Sequence, residues 1–150
     1  MYRLEFEQWF PGKLREVFLF FADAGNLELL TPPWLRFRIL TPQPIHFSRG
    51  SIIDYRLSLH GFPVRWRTKI LVWNPPRRFV DKQIRGPYRH WVHEHLFTEH
   101  EGGTLVRDHI DYDMWLGPLV HQFFVRRDLE AIFRYRREIL SDIFKTSPSP

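Results

Sequence analysis

The sequence contains no cysteine in its 150 residues. Disulfide bonds, thiolate metal ligands and cysteine nucleophiles are therefore excluded, and nothing in the composition indicates an oxidising compartment. Apolar runs are also short, since none approaches the roughly 20 residues that a membrane-spanning helix needs. The opening residues alternate like a strand and do not form the apolar run of a secretory signal. We therefore expect a soluble, cytoplasmic protein.

Motifs for nucleotide binding and nucleophilic catalysis are absent as well. The sequence lacks G-x-G-x-x-G, G-x-x-x-x-G-K and G-x-S-x-G, so it has no dinucleotide fingerprint, phosphate loop or nucleophile elbow. It shows no internal repeat and no low-complexity tract. We expect no cofactor, one domain over residues 1–145 and a disordered tail at 146–150, while the oligomeric state stays open.

A surplus of basic residues raises the question of an anionic partner. Lys and Arg number 22 against 17 Asp and Glu, which gives a net charge of +5. Most of these side chains alternate with apolar ones, as on the solvated face of a sheet, so we expect no nucleic-acid partner. Five arginines give the C-terminal helix a basic rim, for which we favour solvated ion pairs over contact with anionic lipid: Arg126, Arg127, Arg134, Arg136 and Arg137.

Aromatic residues are abundant, with 14 Phe and 6 Trp in a chain that is 43% hydrophobic. This is enough apolar surface for one core. The excess of rings indicates an aromatic core, a cavity lined with rings, or both.

Hydrophobic periodicity divides the chain into strands and helices. Turn signals rich in Gly and Pro separate runs of alternating apolar and polar residues. The predicted order is a strand at 2–10, two short helices near 14–21 and 27–30, strands at 34–39, 53–59, 65–72, 79–85, 91–98 and 105–112, and a long helix from 118 to 144. This order predicts an α+β fold in which a seven-stranded antiparallel sheet curls around the C-terminal helix. That helix should bury one stripe: Leu119, Phe123, Ile132, Phe133, Leu140 and Ile143.

The stretch 79–112 mixes rings with titratable groups on one face. Because strand side chains alternate, each of its three strands places a defined set of residues on the same side of the sheet. The sets are Phe79, Asp81, Gln83 and Arg85; Trp91, His93, His95 and Phe97; and Asp108, Ile110 and Tyr112. A face that only packed a core would be mostly aliphatic, so this composition indicates a pocket wall.

Three motifs resemble those of a known family. They are W-N-P-P-R-R-F-V-D-K-Q-I-R-G-P-Y-R-H-W-V-H-E-H-L-F at 73–97, D-H-I-D-Y at 108–112 and I-F-R-Y-R at 132–136. With the order of elements, they make the whole chain resemble the START-like or SRPBCC superfamily, which includes polyketide cyclases and lipid-transfer domains. They are most similar to a bacterial branch described only as ligand-binding. The resemblance implies a helix-grip fold and a cavity for a small, largely apolar ligand. The glycine-rich loop of plant members is replaced here by residues 42–50, so plant-type ligands cannot be carried over.

The inward polar groups admit several uses. His93 and His95 share a face, and Asp108 on the next strand would join them, so two His and a carboxylate could hold a metal facially. That spacing is common in strands, and we expect no metal. The alternatives are a satisfied polar network that fixes the strand register and direct contact with a ligand.

Three functions follow from this interpretation. We favour binding of a small hydrophobic or aromatic ligand. The second function is a cyclase or dehydratase in which a His held by Asp acts as the base, and the third is a lipid carrier or peripheral membrane protein. The catalytic residues stay unassigned, and the predicted ligand-binding residues are Trp66, Phe79, Asp81, Gln83, Arg85, Trp91, His93, His95, Phe97, Asp108 and Tyr112.

Overall fold

A computed structural model describes residues 1–145 of the chain. The strands are β1 Tyr2–Phe10, β2 Arg38–Ile39, β3 Ile52–Leu59, β4 Phe62–Asn74, β5 Arg78–Arg85, β6 His90–His100 and β7 Gly103–Asp113. The helices are α1 Leu14–Phe21, α2 Gly25–Leu30, α3 Pro118–Val120 and α4 Arg126–Lys145, with a 3-10 turn at Pro33–Leu35 and a π-helical turn at His121–Val125. The predicted tail at 146–150 lies outside the described residues.

All seven strands form one antiparallel sheet in the order β1-β7-β6-β5-β4-β3-β2. The first and last strands of the chain are neighbours, and the other strands pair with the strand that follows them in sequence. The α+β prediction, with its curled seven-stranded sheet and two short helices after the first strand, is confirmed. So are the turns that join β5 to β6 and β6 to β7.

The C-terminal helix differs from its prediction at its beginning. Instead of one continuous helix, the π-helical turn separates α3 from α4. A π-helical turn holds more residues than an α-helical turn, so positions before it fall out of phase with those after it. Leu119, predicted to be buried, is 70% exposed, whereas Leu129 and Leu140 are buried. The side chain of Phe123 lies outside the described part of the structure.

The segment predicted as a strand at 34–39 is mostly irregular. Pro33 begins the 3-10 turn, and Arg36 follows it with a positive φ of 46°, which is far from the extended backbone of a strand. Only Arg38–Ile39 pairs with β3. Alternating apolar residues therefore predicted an extended segment where proline and a left-handed residue impose a bend.

The interior contains two apolar clusters. One surrounds α1 and includes Phe10, Phe18 and Phe97, and the other includes Leu4, Trp91 and Tyr112. Each of the strands β1, β6 and β7 contributes to both clusters, so the clusters lie at opposite ends of the same strands. The positions between them are occupied by polar side chains. None of the helices within residues 1–145 is long and apolar enough to cross a bilayer.

Candidate functional site

Adjacent strands place four titratable side chains between the two apolar clusters. In the strand register, Asp81 of β5 lies opposite His93 of β6, and His95 of β6 lies opposite Asp108 of β7. All four point to the inner face because the strand period is two. We call this group the polar belt. His93 and His95 are each 6% exposed, and Asp108 is 8% exposed.

Each histidine of the belt bonds the carboxylate that lies diagonally from it, not the one opposite. His93 Nε2 lies 2.7 Å from Asp108 Oδ1, and His95 Nε2 lies 2.7 Å from Asp81 Oδ2. These separations are typical of charge-assisted hydrogen bonds. Phe79 stacks on the ring of His95 with centroids 4.0 Å apart, so one face of this imidazole is covered by an apolar ring.

The second nitrogen of His95 is poorly satisfied. His95 Nδ1 is fully buried and has no hydrogen-bond partner within residues 1–145. Its nearest anionic atom is Asp108 Oδ1 at 3.4 Å, a separation that gives electrostatic attraction but not a well-formed hydrogen bond. His95 therefore lies between two carboxylates and is strongly bonded to only one of them.

Electrostatics separates the two histidines. Burial disfavours the charged imidazolium of both rings. For His93 burial prevails, with His95 adding to it, and its pKa is lowered. For His95 burial is outweighed by Asp108 and Asp81, and its pKa is raised. The belt thus favours one imidazolium next to one neutral imidazole.

The carboxylates of the belt stay ionised. Burial alone would raise the pKa of Asp108, but the charge of Arg136 and the hydrogen bond from His93 hold it well below its usual value. In Asp81 burial is likewise outweighed, mainly by the hydrogen bond from His95, and the pKa is lowered. Both carboxylates are therefore acceptors and not acids near neutral pH.

Arg136 completes the belt from the side of α4. Its guanidinium lies 3.9 Å from Asp108 Oδ1 and over the rings of Phe21 and Phe133, at 5.3 and 5.7 Å from their centroids. Only 13% of the side chain is exposed. The prediction that Arg136 belongs to a solvated basic rim is wrong, although Arg126 does pair with Glu130 at 3.2 Å.

A cavity of about 210 Å³ lies between the sheet and α4. Its wall is mostly aromatic and aliphatic, with the polar belt at one side. The lining residues include Phe20, Phe21, Leu35, Phe37, Phe47, Ile53, Tyr55, Leu57, Trp66, Thr68, Ile70, Phe79, Asp81, Tyr88, Trp91, His93, His95, Leu129, Ile132, Phe133 and Arg136. A second cleft, of about 300 Å³, lies between β1 and α4. It shares Phe133 and Arg136 with the cavity and is lined by Asp108 as well.

The predicted site residues divide into two groups. Six of them line the cavity: Trp66, Phe79, Asp81, Trp91, His93 and His95. The other five lie elsewhere: Gln83, Arg85, Phe97, Asp108 and Tyr112. The structure therefore brings together the inward residues of the first half of β5 and β6 with Trp66 of β4, and it leaves out Gln83, Arg85 and Phe97 further along β5 and β6.

Two residues of β5 are displaced from the cavity by local structure. The prediction that Arg85 points inward is wrong: it pairs with Arg67 across a β-bulge, which moves it to the outer face, where it is exposed. Gln83 is buried but holds the following turn. Its Nε2 donates to the carbonyl of Tyr88 at 2.7 Å, and its Oε1 accepts from the Tyr88 amide at 3.2 Å.

Three further residues point inward without lining the cavity. Phe97 packs in the cluster around α1. Tyr112 is 1% exposed, and its hydroxyl lies 2.6 Å from His121 Nε2 in the π-helical turn. Asp108 lies behind His93 and His95 and faces the second cleft. Alternation predicted that these three side chains point inward, but it could not predict whether their positions along the strands lie beside the cavity.

Sequence reasoning missed several polar residues of the cavity wall, among them Tyr55, Thr68 and Arg136. Tyr55 and Thr68 share the inward parity of β3 and β4, so alternation did contain a signal for them. Burial raises the pKa of Tyr55, and the charge of Asp81 adds to the shift, which keeps the phenol neutral. Arg136 follows Leu129 and Phe133 at helical spacing, and Leu140 continues the same stripe. Helical spacing therefore indicated that Arg136 points inward, but its charge led to the prediction of a solvent-exposed side chain.

The residues of the belt that could bind a metal ion differ from the candidate set identified from the sequence. Donor atoms of Asp81, His93 and His95 lie within 4.8 Å of one another, so the carboxylate of this group is Asp81 and not Asp108. Both histidines already make 2.7 Å contacts with carboxylates.

The architecture, a curved antiparallel sheet that grips one long helix around a cavity, defines the helix-grip class. The family model for polyketide cyclase / dehydrase and lipid transport matches residues 11–134. The chain therefore belongs to this family, within the START-like or SRPBCC superfamily. The description of the family implies a bound small molecule.

Solved structures support the fold. The chain resembles protein Ms6760 from Mycobacterium smegmatis with a TM-score of 0.70 and 15% identity, over 97% of this chain and 92% of that one. It resembles CV1439 from Chromobacterium violaceum with a TM-score of 0.74 and 11% identity, over 98% of both chains. TTHA0849 from Thermus thermophilus gives a TM-score of 0.66 and 16% identity, over 94% of this chain and 99% of that one. No curated protein sequence matches the chain.

Proposed function

We propose that this protein binds a small hydrophobic or aromatic molecule in the cavity between the sheet and α4. The observation that carries the proposal is the cavity itself, about 210 Å³ of space walled by rings and branched aliphatic side chains. Native interiors are packed like organic crystals and rarely leave such a volume. Membership of the family supports the same function.

The volume limits the size of the ligand. An apolar cavity of about 150 Å³ holds a benzene molecule. By that comparison, the cavity of about 210 Å³ suits a molecule of one or two rings or a compact aliphatic body. The side chains of Trp66 and Trp91, whose rings meet edge to face at 5.3 Å, offer flat surfaces against which such a ligand would pack.

Two measurements test this function: detection of a molecule bound to the purified protein, and binding of a probe to the emptied cavity. Native mass spectrometry of freshly purified protein, followed by extraction, should detect a small apolar ligand. Titration with the fluorescent probe N-phenyl-1-naphthylamine should show saturable binding in the emptied protein. Extraction that yields nothing, together with no saturable binding of the probe, would contradict the proposal.

Neighbouring residues of β3 provide a matched pair of variants. Ile53 is 1% exposed and lines the cavity, whereas Ile52 is 47% exposed on the outer face. Ile53→Trp should fill the cavity and weaken binding of the probe by a large factor, while Ile52→Trp should bind as the wild type does. Thermal unfolding checks that both variants fold, and Leu57→Phe serves as a milder filling variant.

An acid–base enzyme is a second candidate, and one observation favours it. Asp81 and His95 both line the cavity and form a carboxylate–imidazole pair at 2.7 Å. Such a pair can hold a proton at a ligand atom. If the molecule recovered from the protein is converted on incubation, and His95→Gln binds it without converting it, the enzyme is supported. Its return unchanged supports binding alone.

A further inference from the structure

Arg136 is a buried cation with an unusual shortage of partners. Its side chain is 13% exposed and lies between the cavity and the second cleft. The rings of Phe21 and Phe133 cover the guanidinium. These contacts cover the faces of the guanidinium but accept no hydrogen bond in its plane, where its five N–H groups point.

The donors of Arg136 find no hydrogen-bond acceptor among the described residues. Within residues 1–145 the guanidinium makes no hydrogen bond, and its one ion pair, with Asp108 Oδ1, spans 3.9 Å. That separation is too long for a hydrogen bond. The carboxylates beside it are differently placed, since Asp108 and Asp81 each have a histidine at 2.7 Å. Arg136 is thus the charged group of the belt that lacks a hydrogen-bonded counterpart.

Burying a charged group without hydrogen bonds is costly, and buried arginines are normally paired. The group that best matches a guanidinium is a planar carboxylate, which accepts two parallel N–H bonds. Apart from Asp81, His93 and His95, the cavity wall is mostly apolar, so a ligand that reaches Arg136 from the cavity must present an apolar body to the rings and oxygen atoms to the guanidinium.

We propose that Arg136 binds the carboxylate of an amphipathic organic acid whose apolar body fills the aromatic cavity. The proposal rests on the proposed binding function and adds the chemical class of the ligand. Phe133 and Phe21 position the guanidinium, and Asp108 orients it from the opposite side. In this arrangement the ligand carboxylate joins Arg136 on the side away from Asp108, and the ring system lies toward Trp66 and Trp91.

The test compares two probes of the same shape, 2-naphthoate and 2-naphthamide, by calorimetry at neutral pH. The acid is an anion, and the amide is its neutral counterpart. Wild-type protein should bind the anion at least about tenfold more tightly, the usual value of charge-assisted hydrogen bonds. Arg136→Met, which keeps the length and apolar stem, should remove this preference and leave the affinity for the amide nearly unchanged.

Arg134 provides the control on the same helix. It is exposed and does not line the cavity, so Arg134→Met should keep the preference for the anion. Arg136→Lys should retain part of it, because one ammonium replaces the planar fork. This conservative variant also keeps the test valid if Arg136→Met fails to fold.

The outcomes distinguish failure of the carboxylate inference from failure of the proposed binding function on which it rests. Equal affinity of the wild type for acid and amide, or an unchanged ratio in Arg136→Met, would overturn the inference while leaving a binding cavity. That result would assign Arg136 a structural role between the rings and Asp108. Failure of both probes to bind the wild type would overturn the inference and, for ligands of two rings, the proposed function as well.

Discussion

The rings of His93 and His95 lie face to face, with their centroids 3.7 Å apart and their planes 23° from parallel. Two imidazolium ions at this separation would repel each other strongly in a buried site. The pair therefore favours a single positive charge, and the carboxylates determine which ring carries it. His95 lies between Asp81 and Asp108, so it is the ring that stays charged to higher pH.

We expect the two histidines to titrate separately, His95 above the ordinary value of about 6.5 and His93 below it. Imidazole NMR titration measures both values. Asp81→Asn should lower the pKa of His95, because it removes one of the two anions that raise it. Titration of both rings together, or of His93 at the higher pH, would contradict the assignment.

These shifts also set how stability depends on pH. Because the pKa of His95 is raised in the folded state, its contribution is fully present below about pH 6.5 and is lost as the pH rises through the folded value. His93 acts in the opposite sense, since the unfolded chain takes up a proton below about pH 6.5 while the folded ring resists it. Asp81 and Asp108, with lowered pKa values, stabilise the fold above about pH 4 and lose that effect in acid. Chemical denaturation at a series of pH values measures these contributions, and His95→Gln should remove the loss above pH 6.5.

Removal of Asp108 should be far more costly than removal of a neighbouring surface carboxylate. Asp108→Ala leaves His93, His95 and Arg136 without their shared anion in a buried place, at a cost of about 3–5 kcal/mol in the free energy of unfolding. Asp111→Ala, on the outer face of the same strand, removes the 2.8 Å pair with Arg3, whose side chain is 59% exposed, and should cost less than about 1 kcal/mol. Chemical denaturation measures both, and equal losses would show that the belt is not a coupled buried network.

The phase change at the π-helical turn predicts different costs along the helix. Leu140 is 3% exposed in the cluster around α1, so Leu140→Ala should lower the free energy of unfolding by about 2–5 kcal/mol. Leu119→Ala should stay within about 0.5 kcal/mol of the wild type, because its side chain is 70% exposed. Urea unfolding of the two variants provides the comparison. A large loss for Leu119→Ala would restore the continuous apolar stripe expected from the sequence.

Alternation in the sequence was enough to predict the sheet and the inward direction of most belt residues. His93 and His95 are bounded by Trp91 and Phe97, and these large rings identify the inner face of β6, because a shift of one residue would expose both of them to water. The turn residues between β5, β6 and β7 then predicted which strands are neighbours. These features depend on local chemistry that a sequence displays directly.

What the sequence could not predict depends on single-residue irregularities and on depth. The β-bulge before Arg85 adds one residue to β5 and turns Arg85, the last residue of the strand, to the outer face, with no change in composition to mark it. The π-helical turn does the same to Leu119 on the helix. Asp108 and Tyr112 point inward as predicted, but their distance from the cavity depends on how sheet and helix pack, which no local pattern encodes.

The diagonal bonds of the polar belt have a consequence for assembly of the sheet. If β6 paired with β7 with the register shifted by one residue, His93 and His95 would turn outward and Asp108 would stay inside without its hydrogen bond to His93. A buried carboxylate that lacks hydrogen bonds is costly. Misaligned hairpins of ordinary aliphatic strands carry no such penalty, so the belt makes wrong pairings of β5, β6 and β7 less stable than the observed one.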